Sequence, residues 1–407
     1  MRFLLFSLTF TLLLPSANAE GTDPEAYMTA PEMIRRWGFP VEIHDVITAD
    51  GYILDLFRIP YGRHSIANST CHRPVVLFVH GLGTASPEFL LNPPESGPAY
   101  ILADAGFDVF LINHRGSTYS KRHVILKPWD NKFWQFTVDE MSKYDLPAAI
   151  DKVLEITGQK QIYQIGNSQG TLVGFMTMSD HPEYNSKVKA IFQVGPVSTS
   201  HYSKGLFQVL FFLYDSLKPV VDFYRIALGS HEVSQGIPLL YRELIKLCLY
   251  IPYVGTQICL GTIHLAFGPP AKTINISRVP TYLSHIPSGT STWNALHLAQ
   301  IASRIKVEHM DHNPLENMQR YGQATPPPYD YSKITAPIYL IWGRDDWATT
   351  GEDIDKYLMK ELRKDVASIE VPGYNHLDFV IATDCAERVW NPIVEIMRKQ
   401  EDGMCGR

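Results

Sequence analysis

The 407-residue sequence is poor in several features, and each shortage removes a class of function. Cysteine occurs five times, at Cys71, Cys248, Cys259, Cys385 and Cys405, never with the C-x-x-C spacing of a zinc or redox site. The odd count leaves at least one thiol unpaired or externally bonded, and the pairing of Cys71, Cys385 and Cys405 stays open. Charged residues make up 19% of the chain, the net charge is only −6, and there is no lysine or arginine run. Nucleic acid is therefore not an expected partner. No transmembrane segment is expected, because the apolar stretches 206–217 and 239–251 are interrupted by Asp215, Arg242, Glu243 and Lys246. Internal repeats and low-complexity tracts are missing as well.

What is present is a core and an address. Hydrophobic residues are 45% of the chain, ample for a globular interior. Residues 1–19 have the layout of a signal peptide: Met1-Arg2 is a basic start, 3–14 is apolar apart from Ser7, Thr9 and Thr11, and Ala17-Asn18-Ala19 is a small-residue cleavage site. The mature chain is expected to begin near Glu20, inside the secretory pathway. Two glycosylation triplets, at Asn68 and Asn275, fit that compartment. So does a local Cys248–Cys259 bridge, since the oxidising lumen favours one between two cysteines so close in sequence.

Short apolar runs rich in branched and aromatic residues predict buried strands. The first is 74–80 (PVVLFVH), followed by 108–113, 161–165 (QIYQI), 188–194, 337–342 (PIYLIW) and 367–371 (ASIEV). Helical stretches at 99–105 and 138–157 alternate with them, which predicts an α/β protein with a mostly parallel, doubly wound sheet. Between 197 and 328 the alternation stops, and the chain becomes rich in Leu, Phe and Tyr before ending in three prolines. The organisation expected is a core in two parts, 20–196 and 329–407, with 197–328 a helical insertion over the sheet.

The motif that carries chemistry is Gly166-Asn167-Ser168-Gln169-Gly170, placed after the QIYQI strand and before a helical 171–179. G-x-S-x-G at a strand-to-helix turn is a nucleophile elbow: glycines permit close backbone approach, and the serine Oγ stands above the sheet at a helix N-terminus. A serine hydroxyl needs a base, and the base an orienting acid. In chain order these are Asp346, in Gly343-Arg344-Asp345-Asp346 after the PIYLIW strand, and His376, after the ASIEV strand. Of the 15 histidines, His376 is singled out by order and location. Asp346 is preferred to Asp345 because it lies three residues beyond Gly343; Asp345 is expected to be solvated or to cap the helical region 351–364. An oxyanion hole needs two N–H groups. Gln169 should give one and Leu82, in the loop His80-Gly81-Leu82-Gly83, the other, with His80 structural. A cap over His376 should favour its neutral form and lower its pKa.

These residues resemble the acid lipase family of gastric and lysosomal lipases, from about Pro31 to Val394. The matching features are Gly38, Phe39, Pro40 and Glu42, TADGY at 48–52, HGL at 80–82, LADAGFDV at 102–109 and the Asn113…Arg115-Gly116 turn. SQGT at 168–171, YLSHIPSGTS at 282–291 and YNHLDF at 374–379 complete the set. The resemblance implies an α/β-hydrolase fold and a helical cap and lid over the active site. It also implies hydrolysis of triacylglycerols or cholesteryl esters, often in acid, with no metal and no other cofactor. Cys248–Cys259 would correspond to the family's cap disulfide. Two departures stand out: Asn167 replaces a common histidine, and Asp346-Trp347-Ala348-Thr349 replaces a leucine-rich D-x-L-A-D-P run, which bears on the shape of that loop.

The function expected is lipid-ester hydrolysis through an acyl-enzyme, with a lipid–water interface as partner and a lysosomal or secreted location. A carboxylesterase for small soluble esters and a non-catalytic lipid-binding relative are the alternatives. The apolar insertion speaks against the first, and the intact Ser168, Asp346 and His376 against the second.

Overall fold

The most apolar runs of the sequence form the middle of one sheet. In the computed structural model, which describes residues 23–65, 71–233, 254–269, 273–363 and 365–405, nine strands pair in a single sheet. They are β1 (Glu42–Ile47), β2 (Tyr52–Ile59), β3 (Val75–Val79), β4 (Asp108–Ile112), β5 (Arg122–His123), β6 (Ile162–Asn167), β7 (Val188–Val194), β8 (Ile338–Gly343) and β9 (Val366–Val371). The order is β1-β2-β4-β3-β6-β7-β8-β9, with β5 beside β2. β1, β2, β4 and β5 pair antiparallel where they meet, and every pairing from β4 through β3 to β9 is parallel.

All residues of β3, β4 and β6 are buried, as a sheet covered on both faces requires. Because strand side chains alternate, Val76 and Phe78 enter one core, with Trp390 and Phe192, while Val75, Leu77 and Val79 enter the other, with Leu172 and Phe175. The helices that cover the faces include α1 (Ala30–Arg36), α2 (Pro98–Asp104), α3 (Leu146–Thr157) and α4 (Gln169–Asp180). Between β7 and β8 the described chain runs through α5 (Gly205–Leu228), α6 (Val254–Phe267), α7 (Val279–His285), α8 (Thr292–Ser303) and α9 (Pro314–Tyr321), and α10 (Asn391–Arg398) follows β9. Among the described residues no helix is long and apolar enough to cross a membrane.

Two differences from the sequence reading have physical reasons. The run 74–80 is not the first strand, since β1 and β2 precede it. β1 is an edge strand with mostly exposed or half-buried positions, and β2 carries Asp55 and Arg58, which break its apolar pattern. The charges of β2 are paired instead: Arg58 Nη2 lies 2.7 Å from Asp108 Oδ2, and Asp55 receives Arg122 at 2.5 Å. The helical region 138–157 does form, but Met141–Asp145 within it is a π-turn.

Cys71 and Cys405 are joined, with Cα atoms 5.2 Å apart, while Cys385 is a buried free thiol. The expected Cys248–Cys259 bridge lies outside the described residues, as do Asn68 and residues 1–19. Asn275 is half-buried and caps a short turn, its Oδ1 accepting from Ser277 N–H at 3.1 Å.

The segment after α8 is tied to the core by His309. Its Nδ1 lies 3.6 Å from Asp139 Oδ1 and its Nε2 3.3 Å from Asp180 Oδ2. Burial favours the neutral ring, but the two carboxylates outweigh it and raise the His309 pKa to about 9. The folded-state value lies above the unfolded one, near 6.5, so the added stability is complete below about pH 6.5 and is lost as pH rises through about 9. His309→Gln should therefore cost about 1–3 kcal/mol at pH 5.5 and markedly less at pH 10, read by denaturant unfolding. An equal loss at both pH values would contradict the ion-pair account.

Candidate active site

The sheet's direction of winding reverses beside β3: the chain places β4 on one flank and β6 on the other. Open α/β sheets hold their sites in the crevice at such a point, beyond the strands' carboxyl ends. Four of those ends converge here.

The first is the elbow after β6. Ser168 has φ 51° and ψ −122°, a strained conformation for a residue with a side chain. It is held by its N–H donating to Val194 O at 3.0 Å and by Thr171 N–H donating to its carbonyl at 2.9 Å. A Cβ on Gly170 would come within 2.0 Å of Val79 O, and one on Gly166 within 2.8 Å of Gly170's carbonyl. Neither position accepts a larger residue without displacing backbone.

From the ends of β9 and β8 come His376 and Asp346. His376 Nε2 stands 2.8 Å from Ser168 Oγ, and its Nδ1 is 2.7 Å from Asp346 Oδ2. An ionised carboxylate only accepts, so Nδ1 carries the proton and Nε2 is left to take one from Ser168. Asp346 is fixed by Ala348 and Thr349 N–H groups, each 2.8 Å from Oδ1, and by Thr349 Oγ1 at 2.7 Å from Oδ2. The altered D-W-A-T sequence thus forms a tight turn around the carboxylate. Asp345 is half-exposed and directs its N–H to Tyr374 O. It does not cap the following helix, because Thr350 does so by accepting from Asp353 N–H at 3.2 Å.

The expectation that burial lowers the His376 pKa is overturned. Burial does favour the neutral ring, but the Asp346 and Glu88 carboxylates outweigh it, so the pKa is raised. Phe267, at the end of α6, stacks on the ring with centroids 5.7 Å apart.

The loop after β3 supplies the fourth edge. Leu82 and Gln169 N–H groups donate to no partner among the described residues, and both residues border the same cavity as Ser168. The loop is held from three sides. His80 Nε2 accepts the His114 N–H at 3.0 Å. Burial and His114 push the His80 pKa down to about 3, so His80 is a neutral acceptor and a structural residue. Ser288 N–H, within the YLSHIPSGTS motif, donates to Gly83 O at 2.6 Å. Glu88 Oε2 accepts the Gly81 N–H at 2.9 Å. The same motif leads into α8, where Asn294 Nδ2 donates to Gln169 Oε1 at 2.7 Å.

Glu88, Thr349, Phe267 and Asn294 were not singled out in the sequence. Only Glu88 carried a signal, as the one charged side chain in the mostly apolar stretch 74–94 apart from His80. Ser168 and His376 open into a cavity of about 700 Å³. Its walls are mostly apolar, with Phe207, Leu210 and Leu213 of α5 and Leu260 and Ile263 of α6 among them. Among the described residues no cluster of three or more His, Cys, Asp or Glu is arranged to hold a metal ion. Chemically, the arrangement can make Ser168 Oγ a nucleophile toward a carbonyl carbon whose oxygen faces two N–H groups.

Comparison with known proteins gives the lineage. Residues 30–93 match the family model described as a partial alpha/beta-hydrolase lipase region, and 74–222 match the alpha/beta hydrolase fold. The chain is 38% identical to lipase lipl-1 of Caenorhabditis elegans, over 92% of this chain and 93% of that one. It is 37% identical to gastric triacylglycerol lipase of Bos taurus, over 93% of each. A crystallised candidate lipase from Sulfolobus solfataricus shares the fold with a TM-score of 0.56 at 13% identity, over 88% of this chain and 99% of that one. At 35–38% identity over more than nine-tenths of their length to gastric lipases of four mammals, the chain belongs to the acid lipase family of α/β-hydrolases, a family of lipid ester hydrolases.

Proposed function

We propose that this chain hydrolyses long-chain lipid esters, triacylglycerols or cholesteryl esters, through a Ser168–His376–Asp346 triad. The observation that carries the reading is the continuous hydrogen-bonded path from Asp346 to Ser168, opening into a cavity walled by apolar side chains. His376 Nε2 takes the Ser168 proton as Oγ attacks the ester carbonyl, and Asp346 stabilises the resulting imidazolium. The oxyanion is held by the Leu82 and Gln169 N–H groups. The imidazolium then protonates the leaving alcohol, and water, deprotonated by His376, releases the fatty acid. Residues 197–328 act as the cap that receives the acyl chain and meets the lipid surface. Exposed Phe212 and Phe223, each 68% accessible on α5, support that contact. We place the protein in the secretory pathway, as a lysosomal or secreted enzyme glycosylated at Asn68 and Asn275. The Cys71–Cys405 bond fits that oxidising route.

The working pH is proposed to be acidic. That reading rests on the family, since the burial of His376 is already nearly complete and the Asp346 and Glu88 carboxylates favour its charged ring. Rates on emulsified trioleoylglycerol, cholesteryl oleate and soluble p-nitrophenyl acetate, measured from pH 4 to 9, test the whole reading. Long-chain esters should be preferred, with an optimum below pH 7. Preference for the soluble ester would make the protein a carboxylesterase, and an optimum above neutrality would remove the acidic assignment. Ser168→Ala should lower turnover by about three orders of magnitude or more with folding retained. A loss of less than about tenfold would exclude Ser168 as nucleophile.

The two neighbouring aspartates should separate sharply. Asp346→Asn removes the acceptor that holds the Nδ1 proton and should cost about 10³–10⁴-fold in kcat. Asp345→Asn should cost less than about tenfold, roughly 1.4 kcal/mol of barrier. The opposite ranking in folded variants would reassign the acid.

A further inference from the structure

Glu88 is a buried carboxyl at the edge of the site with no part in the triad. It is 3% exposed, in the short turn Ser86–Leu90. Its Oε2 accepts from Gly81 N–H at 2.9 Å and Thr84 Oγ1 at 3.2 Å; its Oε1 accepts from Asn167 Nδ2 at 2.9 Å. It therefore bridges the loop beside Leu82 to the residue before the nucleophile. A Cβ built on Gly81 would stand 3.1 Å from Ser168 Cβ and 3.2 Å from Glu88 Oε1, so the carboxyl and the nucleophile flank one small space. Asn167 is where the chain departs from the family's common histidine. Its Oδ1 is buried without a partner among the described residues.

We propose that Glu88 is a positioning residue that, as a neutral carboxyl, clamps the oxyanion loop to the nucleophile elbow and leaves His376 free to act as base; its ionisation reverses the second effect. This rests on the lipase reading of the site and adds a control to it.

Of the ionisable side chains, His376, in the turn after β9, lines the same cavity as Glu88 and acts on it through charge, and His80 stands behind Thr84, its Nδ1 3.3 Å from Thr84 Oγ1. His80 is held neutral, so the pair that interacts is Glu88 with His376. Burial pushes the Glu88 pKa up to about 7, against the pull of its hydrogen-bond donors and His376. In return, the Glu88 carboxylate helps to raise His376. One proton can thus sit on either group: imidazolium with carboxylate, or neutral imidazole with carboxylic acid. Only the second form has a base ready for Ser168, and it also removes a negative charge from beside the space where the oxyanion develops. The two groups titrate as a pair. When Glu88 is neutral, His376 loses one of the two charges that hold its proton, so the base becomes available at lower pH. When both protons are gone, the Glu88 carboxylate opposes the oxyanion and activity falls.

The test is the pH dependence of kcat and KM on soluble p-nitrophenyl butyrate for wild type, Glu88→Gln, Asn167→Ala and Ser168→Ala. Glu88→Gln cannot ionise, so no carboxylate form competes with the active one: the fall of kcat above neutrality should be reduced, while the acidic limb, set in both proteins by His376 beside a neutral side chain, should not move to lower pH. Asn167→Ala removes a donor that favours the Glu88 carboxylate, so the alkaline fall should move to higher pH. A Glu88 of purely structural importance would instead scale kcat by one factor at every pH. Superposable wild-type and Glu88→Gln profiles, after scaling, overturn the proposal. Retention of activity in Ser168→Ala would overturn the triad reading instead, so the two failures are distinguishable. If Glu88→Gln does not fold, the Asn167→Ala profile decides: an unmoved alkaline limb overturns the proposal.

Discussion

The constraint on which the site depends is the backbone of Ser168. At φ 51° the residue occupies a region that costs about 1–3 kcal/mol for a residue with a side chain, and only surrounding structure can hold it there. That structure is the parallel β3–β6–β7 centre of the sheet. Val194 O receives the Ser168 N–H, and Val79 O lies against Gly170. The turn therefore exists because two neighbouring strands and α4 are pressed to contact distances that only glycine tolerates. Once the turn is held, Oγ points into the crevice, and the Gln169 N–H opens the helix toward the same space.

The proposed triad and its supports come from parts of the chain far apart in sequence, so rigidity has to be made by polar contacts under the cavity floor. Asp346 is gripped by the turn that follows it. His376 is held between Asp346 and Ser168, with Phe267 across its face. The loop after β3, proposed to form the oxyanion hole, is tied to His114, Ser288 and Glu88. These groups are buried, and buried polar networks specify one arrangement only when nearly every member is satisfied. The cavity above them is mostly apolar, which lets a lipid acyl chain replace water where charge develops.

Legibility of the sequence followed the same physics. β3, β4, β6, β7 and β8 were readable because strands largely buried on both faces must be mostly apolar, and β9, at the sheet edge, was readable from its short run ending in Val371 before a Pro-Gly turn. The β1–β2 pair was not, because one strand lies at the sheet edge and the other pairs its charges laterally. Ser168, Asp346 and His376 were readable by chain order and by their places after strands. The sense of the His376 pKa was not readable, because it is a balance between burial and the carboxylates of Asp346 and, to a lesser extent, Glu88, and that balance is fixed only in the fold. Thr349 and Asn294 gave no signal either, since a hydroxyl or amide that supports a site looks like any other polar residue in a loop or helix.

The central claim, that Ser168 is the acylated residue beneath an apolar cavity, is tested most directly by covalent trapping. The protein is treated with a long-chain p-nitrophenyl alkylphosphonate in detergent micelles, and activity, released p-nitrophenol and labelled peptides are followed together. The account predicts one equivalent of p-nitrophenol per protein, complete loss of ester hydrolysis, and the adduct on the peptide containing Ser168. A fully labelled protein that still hydrolyses esters, or an adduct on any other residue, would contradict it.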